Sequence, residues 1–177
     1  MTNARPSKTP ISTDRITLRK ATPDDVSAIF SLIRAIAEYE RMSDQVVATE
    51  SMIRETLFDA PHPAAEVILA VLDQETPIGF ALFFHNYSTF LAKRGLYLED
   101  LFVNPEFRGC GIGKRLLIHL AEIAVERKCG RMEWSVLDWN ESAICFYESL
   151  GAEPMSEWTV FRLTGDRLTN LANNKEY

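Results

Sequence analysis

The sequence predicts a single α+β domain (mixed α/β), and three kinds of pattern support this prediction. Short alternating or wholly apolar segments predict β-strands, and longer segments with apolar residues every three or four positions predict amphipathic helices. Between them, one predicted strand leads through a glycine-rich loop into a helix. The chain has 177 residues, 46% of them apolar, which is enough for one substantial core. We expect a flexible tail over residues 1–13 and the domain over residues 14–177.

The chain begins with a predicted strand and a predicted helix. Residues 15–20 (RITLRK) alternate in polarity, as in a half-buried strand. Thr22 and Pro23 then form a typical helix start, because threonine caps the first turn and proline fits the first helical position. Apolar residues from Val26 to Ala37 recur at helical spacing, so a helix should follow.

The middle of the chain should contain a short helix and three strands. A helix over residues 49–59 ends at the two prolines of DAPHP. Residues 65–72 and 77–87 are strongly apolar and are separated by a short turn, so we expect an antiparallel hairpin. Residues 96–103 (LYLEDLFV) form the next predicted strand, which runs directly into the glycine-rich loop.

The remaining elements follow the loop. The apolar spacing predicts a long helix that ends near Cys129 and Gly130, and then a strand over residues 131–137. A helix over residues 140–152 should end at Gly151. A last strand near residues 157–164 and a short helix over residues 166–172 complete the predicted order.

Composition and charge narrow the class of protein. The net charge is −6, and the basic residues do not cluster, so we expect no nucleic-acid partner and favour a cationic small molecule. The sequence shows neither a signal peptide nor an apolar run of the ~20 residues that span a bilayer, so we expect a cytoplasmic protein without membrane contact. Three cysteines and three histidines in no ligand-like spacing predict neither a disulfide framework nor a metal site.

The loop FRGCGIGKR, residues 107–115, is the most specific local signal. A strand, a glycine-rich loop and a helix start together form an anion-binding arrangement, since unpaired backbone N–H groups point outward there. A Walker loop does not fit, because Arg108 and Arg115 occupy positions that this motif reserves for glycine and for serine or threonine. A dinucleotide fingerprint does not fit either, because the glycine spacing is G-x-G-x-G.

Two motifs resemble those of the GNAT superfamily of N-acetyltransferases. RGCGIG matches its pyrophosphate loop, Q/R-x-x-G-x-G/A, and NESAICFYESLGA (140–152) looks like its downstream motif at the expected separation. Together with AEYE (37–40), LYLEDLFV (96–103) and WNESAICFY (139–147), they resemble the spermidine/spermine (diamine) N-acetyltransferase branch, including its thialysine acetyltransferase relatives. The resemblance implies a mostly antiparallel mixed sheet flanked by helices, acetyl-CoA as donor, no metal, and a homodimer.

The resemblance also implies how acetyl-CoA binds. The diphosphate should meet backbone N–H groups of the loop, and the pantetheine arm should pair with the preceding strand as an added strand would. Asn140 and Ser142 should hold the far side of the cofactor. The expected donor-binding residues are Leu101, Phe102, Val103, Arg108, Gly109, Cys110, Gly111, Ile112, Gly113, Lys114, Asn140, Ser142 and Tyr147.

Acetyl transfer needs a proton acceptor and a proton donor. An alkylammonium has a pKa near 10.4, so a carboxylate acting directly or through water would remove its proton. Glu99 matches the family's base, and Tyr147 matches its general acid for the departing thiolate. Glu99 and Asp100 point to opposite faces of a regular strand, so only one of them lines the site unless the strand contains a bulge.

The acceptor is expected to be a small cationic amine, such as a polyamine, a diamine or a lysine-like compound. The resemblance implies that it contacts Tyr39, Glu40, Glu99, Asp100, Glu133, Trp134 and Ser135. Two alternatives stay open at this stage: an amino-acid or protein amine acetyltransferase, and a CoA-binding regulatory module without catalysis.

Overall fold

A computed structural model describes residues 12–173 and divides the chain into two compact units, Met1–Ser135 and Val136–Tyr177. Of the predicted N-terminal tail, only Ser12 and Thr13 lie within the described residues, and Thr13 opens a short 3-10 turn. A single domain over residues 14–177 stays a prediction. Among the described residues, no helix combines the length and the apolar character required to cross a bilayer.

A five-stranded mixed sheet forms the first unit, in the order β1-β2-β3-β4-β5. The first three pairs of neighbours are antiparallel, and β4 and β5 are parallel. The structure thus confirms the predicted fold class, with a mostly antiparallel mixed sheet, and the predicted hairpin of β2 and β3. The strands are β1 (Ile16–Lys20), β2 (Glu66–Leu72), β3 (Thr76–Ser88), β4 (Lys93–Val103) and β5 (Met132–Trp134).

Three α-helices accompany the sheet in the described part of this unit, and all three were predicted. Before the first of them, Thr22 and Asp25 form a capping box around Pro23. The second α-helix continues as one π-helical turn over Glu55–Asp59, so together they fill the predicted range. The helices are α1 (Val26–Tyr39), α2 (Glu50–Arg54) and α3 (Ile112–Glu126).

The sheet buries both of its faces, which explains the continuous apolar run of β2. Val67, Leu69 and Val71 form one cluster with the inner faces of α1 and α2. Ile68 and Ala70 are also buried but point the other way, because side chains alternate along a strand. We call the side of the sheet that carries the first cluster the α1 face; its buried residues include Ile29, Leu32, Phe80 and Phe102.

The described part of the second unit, residues 136–173, contains two α-helices, α4 (Glu141–Glu148) and α5 (Gly165–Asn173). Gly151 adopts φ 87° after α4, and the N–H of Ala152 donates to the carbonyl of Tyr147 at 3.2 Å, which confirms the predicted glycine stop. The predicted strand over residues 157–164 is wrong. This segment is irregular and exposes Phe161 by 92%, because an apolar stretch forms no ladder without a neighbouring strand.

Candidate active site

The glycine-rich loop has the backbone shape that a bound anion requires. Gly109 and Gly111 adopt left-handed φ values of 84° and 75°, and Gly111 immediately precedes α3. A Cβ placed on either glycine would meet no described atom within 4 Å, so open space lies beside both. Glycine is needed here for the backbone conformation, and the space is available to a ligand.

Unpaired backbone donors line this loop. The N–H of Arg115 makes the first helical hydrogen bond, to Gly111 at 3.0 Å, and the N–H of Arg108 makes a long one, to Pro105 at 3.4 Å. Between them, the six N–H groups of residues 109–114 donate no hydrogen bond within the described part of the chain. Six consecutive donors at the positive end of a helix fit the diphosphate of a CoA donor.

The edge of β4 beside the loop fits an extended, amide-bearing ligand. β5 pairs with β4 only from Leu96 to Leu98, whereas β3 pairs with β4 as far as Val103. The segment Glu99–Val103 therefore has one strand neighbour, and its other edge is available for β-strand addition. The predicted pantetheine contacts, Leu101 to Val103, lie on this segment, although the carbonyl of Val103 already accepts a hydrogen bond from Arg108 Nε at 2.9 Å.

Arg108 connects the loop to the end of α1. Its guanidinium carbon lies 4.3 Å from the centroid of the Tyr39 ring and 5.4 Å from that of Phe102. Contacts of this kind are attractive between a cation and an aromatic face. Glu40, an acidic residue predicted for acceptor binding, directly follows Tyr39 at the end of this helix.

A β-bulge in β4 determines which face of the sheet the carboxylates of Glu99 and Asp100 reach. Leu82 of β3 pairs with Asp100, but the next residue, Phe83, pairs with Leu98. Glu99 is therefore an extra residue without a partner on β3, and the alternation of side chains breaks at this point. Asp100 shares the α1 face with Phe102, two residues further on, and the bulge brings Glu99 close enough to affect its ionisation.

Asp100, Glu99 and Glu40 form an acidic cluster, in which the ionisation of Asp100 is unfavourable. Burial, together with the negative charges of Glu99 and Glu40, raises the pKa of Asp100 from 3.8 to about 6. Burial also raises the pKa of Glu40. Within residues 12–173, no arginine or lysine forms an ion pair with any of the three. A cationic ligand would relieve this repulsion.

The acidic cluster is continued towards β5 by polar side chains. Tyr97 packs its ring against Phe84 of β3, with centroids 5.1 Å apart, and its hydroxyl lies 2.9 Å from that of Ser135. Glu133 is opposite Tyr97 in the parallel ladder and lies on the same face. Trp134 pairs with Leu98 and points to the other face, so the structure does not bring this predicted acceptor residue together with the rest.

Three predicted residues belong to the second unit. Asn140 caps α4, since its side-chain oxygen accepts a hydrogen bond from the N–H of Ala143 at 3.3 Å and one from Ser142 Oγ at 3.1 Å. Tyr147 is half-buried in α4, and its ring centroid is 5.3 Å from that of Phe146. Within this unit, Asn140 and Ser142 therefore have a structural role whatever else they bind.

Sequence reasoning missed two members of the α1 face. Tyr97 was not singled out, although its position two residues before Glu99 was a usable signal. Arg131 was also missed, and its Nε lies 2.8 Å from Glu133 Oε2. An arginine and a glutamate two apart on a strand share a face, so this pair was open to prediction from spacing.

Comparison with known proteins agrees with this geometry. Residues 31–152 match the acetyltransferase (GNAT) family, which covers the bulge, the loop and α4. The chain is 38% identical to the L-ornithine N5-acetyltransferase of Arabidopsis thaliana, with 85% of each chain covered. It is 37% identical to the thialysine N-epsilon-acetyltransferase of Bos taurus, over 89% of this chain and 97% of the relative.

A solved structure supports the same fold. An integron cassette protein from the mobile metagenome of V. cholerae superposes with a TM-score of 0.75 and 28% identity, over 90% of this chain and 99% of that one. The predicted resemblance to the branch that includes thialysine acetyltransferases is therefore confirmed.

Proposed function

Because the chain belongs to the GNAT acetyltransferase family, we propose that it transfers the acetyl group of acetyl-CoA to a primary amine of a small cationic acceptor. The chain is a GNAT-type N-acetyltransferase, and members of this family use acetyl-CoA. Its relatives are named for ornithine and thialysine, both of them small amines with a side-chain nitrogen. The acceptor, the residue roles, a cytoplasmic location and a homodimer belong to the proposal.

The observation that carries this proposal is the position of Asp100. The carboxyl of Asp100 lies in β4, where the sheet edge opens, three residues before the end of the strand that leads to the glycine-rich loop. Acetyl-CoA would supply the activated acyl carbon along this edge. The cationic amine would be attracted by the three carboxylates of Asp100, Glu99 and Glu40. Its positive charge would reduce the repulsion between them.

The carboxylates at the bulge can remove the proton of the bound amine. The amine must lose a proton before it attacks, and a carboxylate whose pKa is about 6 is a better acceptor than an ordinary one near 4. At pH 7 most of such a group is still ionised. We assign proton removal to the pair of Asp100 and Glu99, with Asp100 as the member whose basicity its surroundings raise.

Tyr147 remains our candidate for protonating the departing thiolate. A phenol has a pKa near 10, comparable with that of an alkyl thiol, so the transfer is not steeply uphill. The change Tyr147→Phe should lower kcat at least tenfold and leave the affinity for acetyl-CoA within about twofold. Phe146→Leu, on the adjacent and equally half-buried position, is the matched control for packing. Equal losses in both variants would remove the phenol from the mechanism.

An amine panel tests the proposed reaction. Purified protein, acetyl-CoA and putrescine, spermidine, spermine, L-ornithine, L-lysine or thialysine are mixed, and free thiol is measured. We expect thiol release with at least one of these amines. If the protein binds acetyl-CoA tightly but releases no thiol with any of these amines, the result would instead favour a regulatory CoA-binding module.

The donor site has its own test. Gly111→Ala should weaken acetyl-CoA binding at least tenfold, because the added methyl group occupies the open space beside the unpaired N–H groups. Gly165→Ala is the control: Gly165 also has a positive φ, 55°, and open space around it, so the backbone strain is similar. Similar calorimetric affinities in the two variants would show that the loop does not hold the donor.

A further inference from the structure

An ion pair lies on the α1 face beyond the acidic cluster. Arg131 Nε and Glu133 Oε2 are 2.8 Å apart, and their side chains are 40% and 36% exposed. Asn86 of β3 donates its amide N–H to the same Oε2 at 2.8 Å. The carboxylate of Glu133 is thereby fixed from two sides through one of its oxygens.

Gly95 allows this arrangement. It pairs with Asn86 in the β3–β4 ladder, and a Cβ on it would overlap the side-chain oxygen of Asn86 and come 3.4 Å from Arg131 Cγ. The Arg131 stem thus lies over bare backbone. A larger residue at position 95 would displace both side chains that hold Glu133.

Arg131 and Glu133 each have polar atoms that their ion pair does not use. Arg131 uses only Nε towards Glu133, and within residues 12–173 its two η nitrogens remain for a carboxylate in the bidentate manner that guanidinium favours. Both contacts to Glu133 use Oε2, which leaves Oε1 for an ammonium group. Adjacent sites for a carboxylate and an ammonium match the head of an α-amino acid, and a diamine fills only one of them.

The spacing along the sheet fits such an acceptor. Glu133 lies beside Tyr97, and Asp100 is three residues further along β4, one of them being the bulged residue. At about 3.3 Å per residue, the two carboxylates are separated by roughly 7–10 Å along the strand. An extended basic amino acid spans roughly 6–8 Å from its distal nitrogen to its α-amino nitrogen, the group that Glu133 would hold, at about 1.25 Å of projected length per bond.

We infer that Arg131 and Glu133 bind the head of a basic α-amino acid, while its distal amine lies at Asp100 and Glu99. This inference rests on the proposed function and adds the residues that would recognise the head of the acceptor. Arg131 is then the residue that distinguishes such amino acids from the diamines that differ from them only by the missing carboxylate. Glu133 serves both classes, because both carry a second ammonium group.

Matched acceptors test this directly. L-ornithine is compared with putrescine and L-lysine with cadaverine, since the members of each pair differ only in the carboxylate. The ratio of kcat/KM values within a pair should favour the amino acid in the unaltered protein. In Arg131→Gln this ratio should fall about tenfold or more, as expected for the loss of a charge-assisted contact.

Arg94→Gln is the matched control. Arg94 is an exposed arginine next to Gly95 in β4, so it points to the opposite face while the charge change is the same. This variant should keep the ratio of the unaltered protein. A ratio that Arg131→Gln leaves unchanged, or that Arg94→Gln lowers equally, overturns the head-group assignment alone. If the unaltered protein acetylates neither amino acid but does acetylate another amine of the panel, the head-group assignment fails alone. If it acetylates no amine at all, the proposed function fails, and this inference fails with it.

Discussion

Two aspartates of the first unit have opposite environments. Asp25, before α1, accepts two hydrogen bonds of 2.7 Å from Arg19 and further ones from Thr22, and these contacts lower its pKa to about 2. Asp100, in the β4 bulge, has carboxylates as its charged neighbours, and its pKa rises to about 6. Both side chains are substantially removed from solvent. Burial raises the pKa of both carboxyls, but at Asp25 the hydrogen bonds from Arg19 outweigh it, whereas at Asp100 the negative charges of Glu99 and Glu40 add to it. This difference separates a structural carboxylate from the one that we propose to be functional.

The largest expected difference concerns activity. Asp100→Asn should lower kcat/KM at pH 8 by about 100-fold or more, the usual size of a lost general base. Asp25→Asn should leave kcat/KM per folded molecule unchanged, since this aspartate serves only the start of α1. Thiol release measures both. Comparable losses in the two variants, after correction for the folded fraction, would contradict the distinction between the two aspartates.

Stability at pH 7 should change in opposite directions. Asp25→Asn should lower the free energy of unfolding by about 1–2 kcal/mol, because it removes a paired and largely buried charge, discounted for the exposed Arg19. Asp100→Asn should raise it by about 1–2 kcal/mol, because it removes a charge that folding buries and places near the negative charges of Glu99 and Glu40. Urea unfolding monitored by circular dichroism measures both. A shift of the same sign in both variants would show that the raised pKa of Asp100 is wrong.

The pH dependence of stability is set by the same two shifts. The folded-state pKa of Asp25 is lowered, so its stabilisation is complete above about pH 4 and is lost as the pH falls towards 2. The folded-state pKa of Asp100 is raised, so its cost is complete above about pH 6 and disappears as the pH falls from 6 to 4. Unfolding curves of the unaltered protein and of the two asparagine variants at pH 3, 5 and 7 separate these contributions. If Asp100→Asn keeps the same advantage at pH 4 as at pH 7, ionisation is not its cause.

The smallest effect expected is a change in the pKa of Asp100 itself. Glu99→Gln and Glu40→Gln each remove one of the charges that raise it, so each should move this pKa back towards its ordinary value. The change should be larger for Glu99, whose charge contributes more to the raised pKa than that of Glu40. Glu38→Gln, on an exposed position of α1, is the control for net charge. The chemical shift of the Asp100 carboxyl carbon as a function of pH measures it, and an unchanged midpoint in all three variants would exclude coupling within the cluster.

The sequence predicted the strands and helices of the first unit well, because their apolar periods and stop residues are local signals. It also led to the loop and to Glu99 as the candidate base, with Asp100 beside it, but it could not show where the alternation of side chains along β4 breaks. The break is a bulge in the pairing of β4 with β3, and the register of this pairing is not a local signal in the sequence. The prediction of a strand near residues 157–164 was wrong because it also depended on pairing. An apolar stretch forms a strand only where a partner strand exists.

Trp134 also shows that strand geometry decides which of the predicted residues lie together. Its neighbours Glu133 and Ser135 reach the α1 face, and alternation sends the tryptophan to the other one. The motif named all three residues together, whereas the strand geometry divides them. Arg131, two residues before Glu133, was the member that alternation would have added.

The pH dependence of kcat/KM tests the central assignment most directly. With a saturating donor and the best amine of the panel, log kcat/KM of the unaltered protein should fall with unit slope below a pKa near 6. This limb should be absent from the residual activity of Asp100→Asn and present in Asp25→Asn. A profile without a limb near 6, or one that Asp100→Asn retains, would contradict the account.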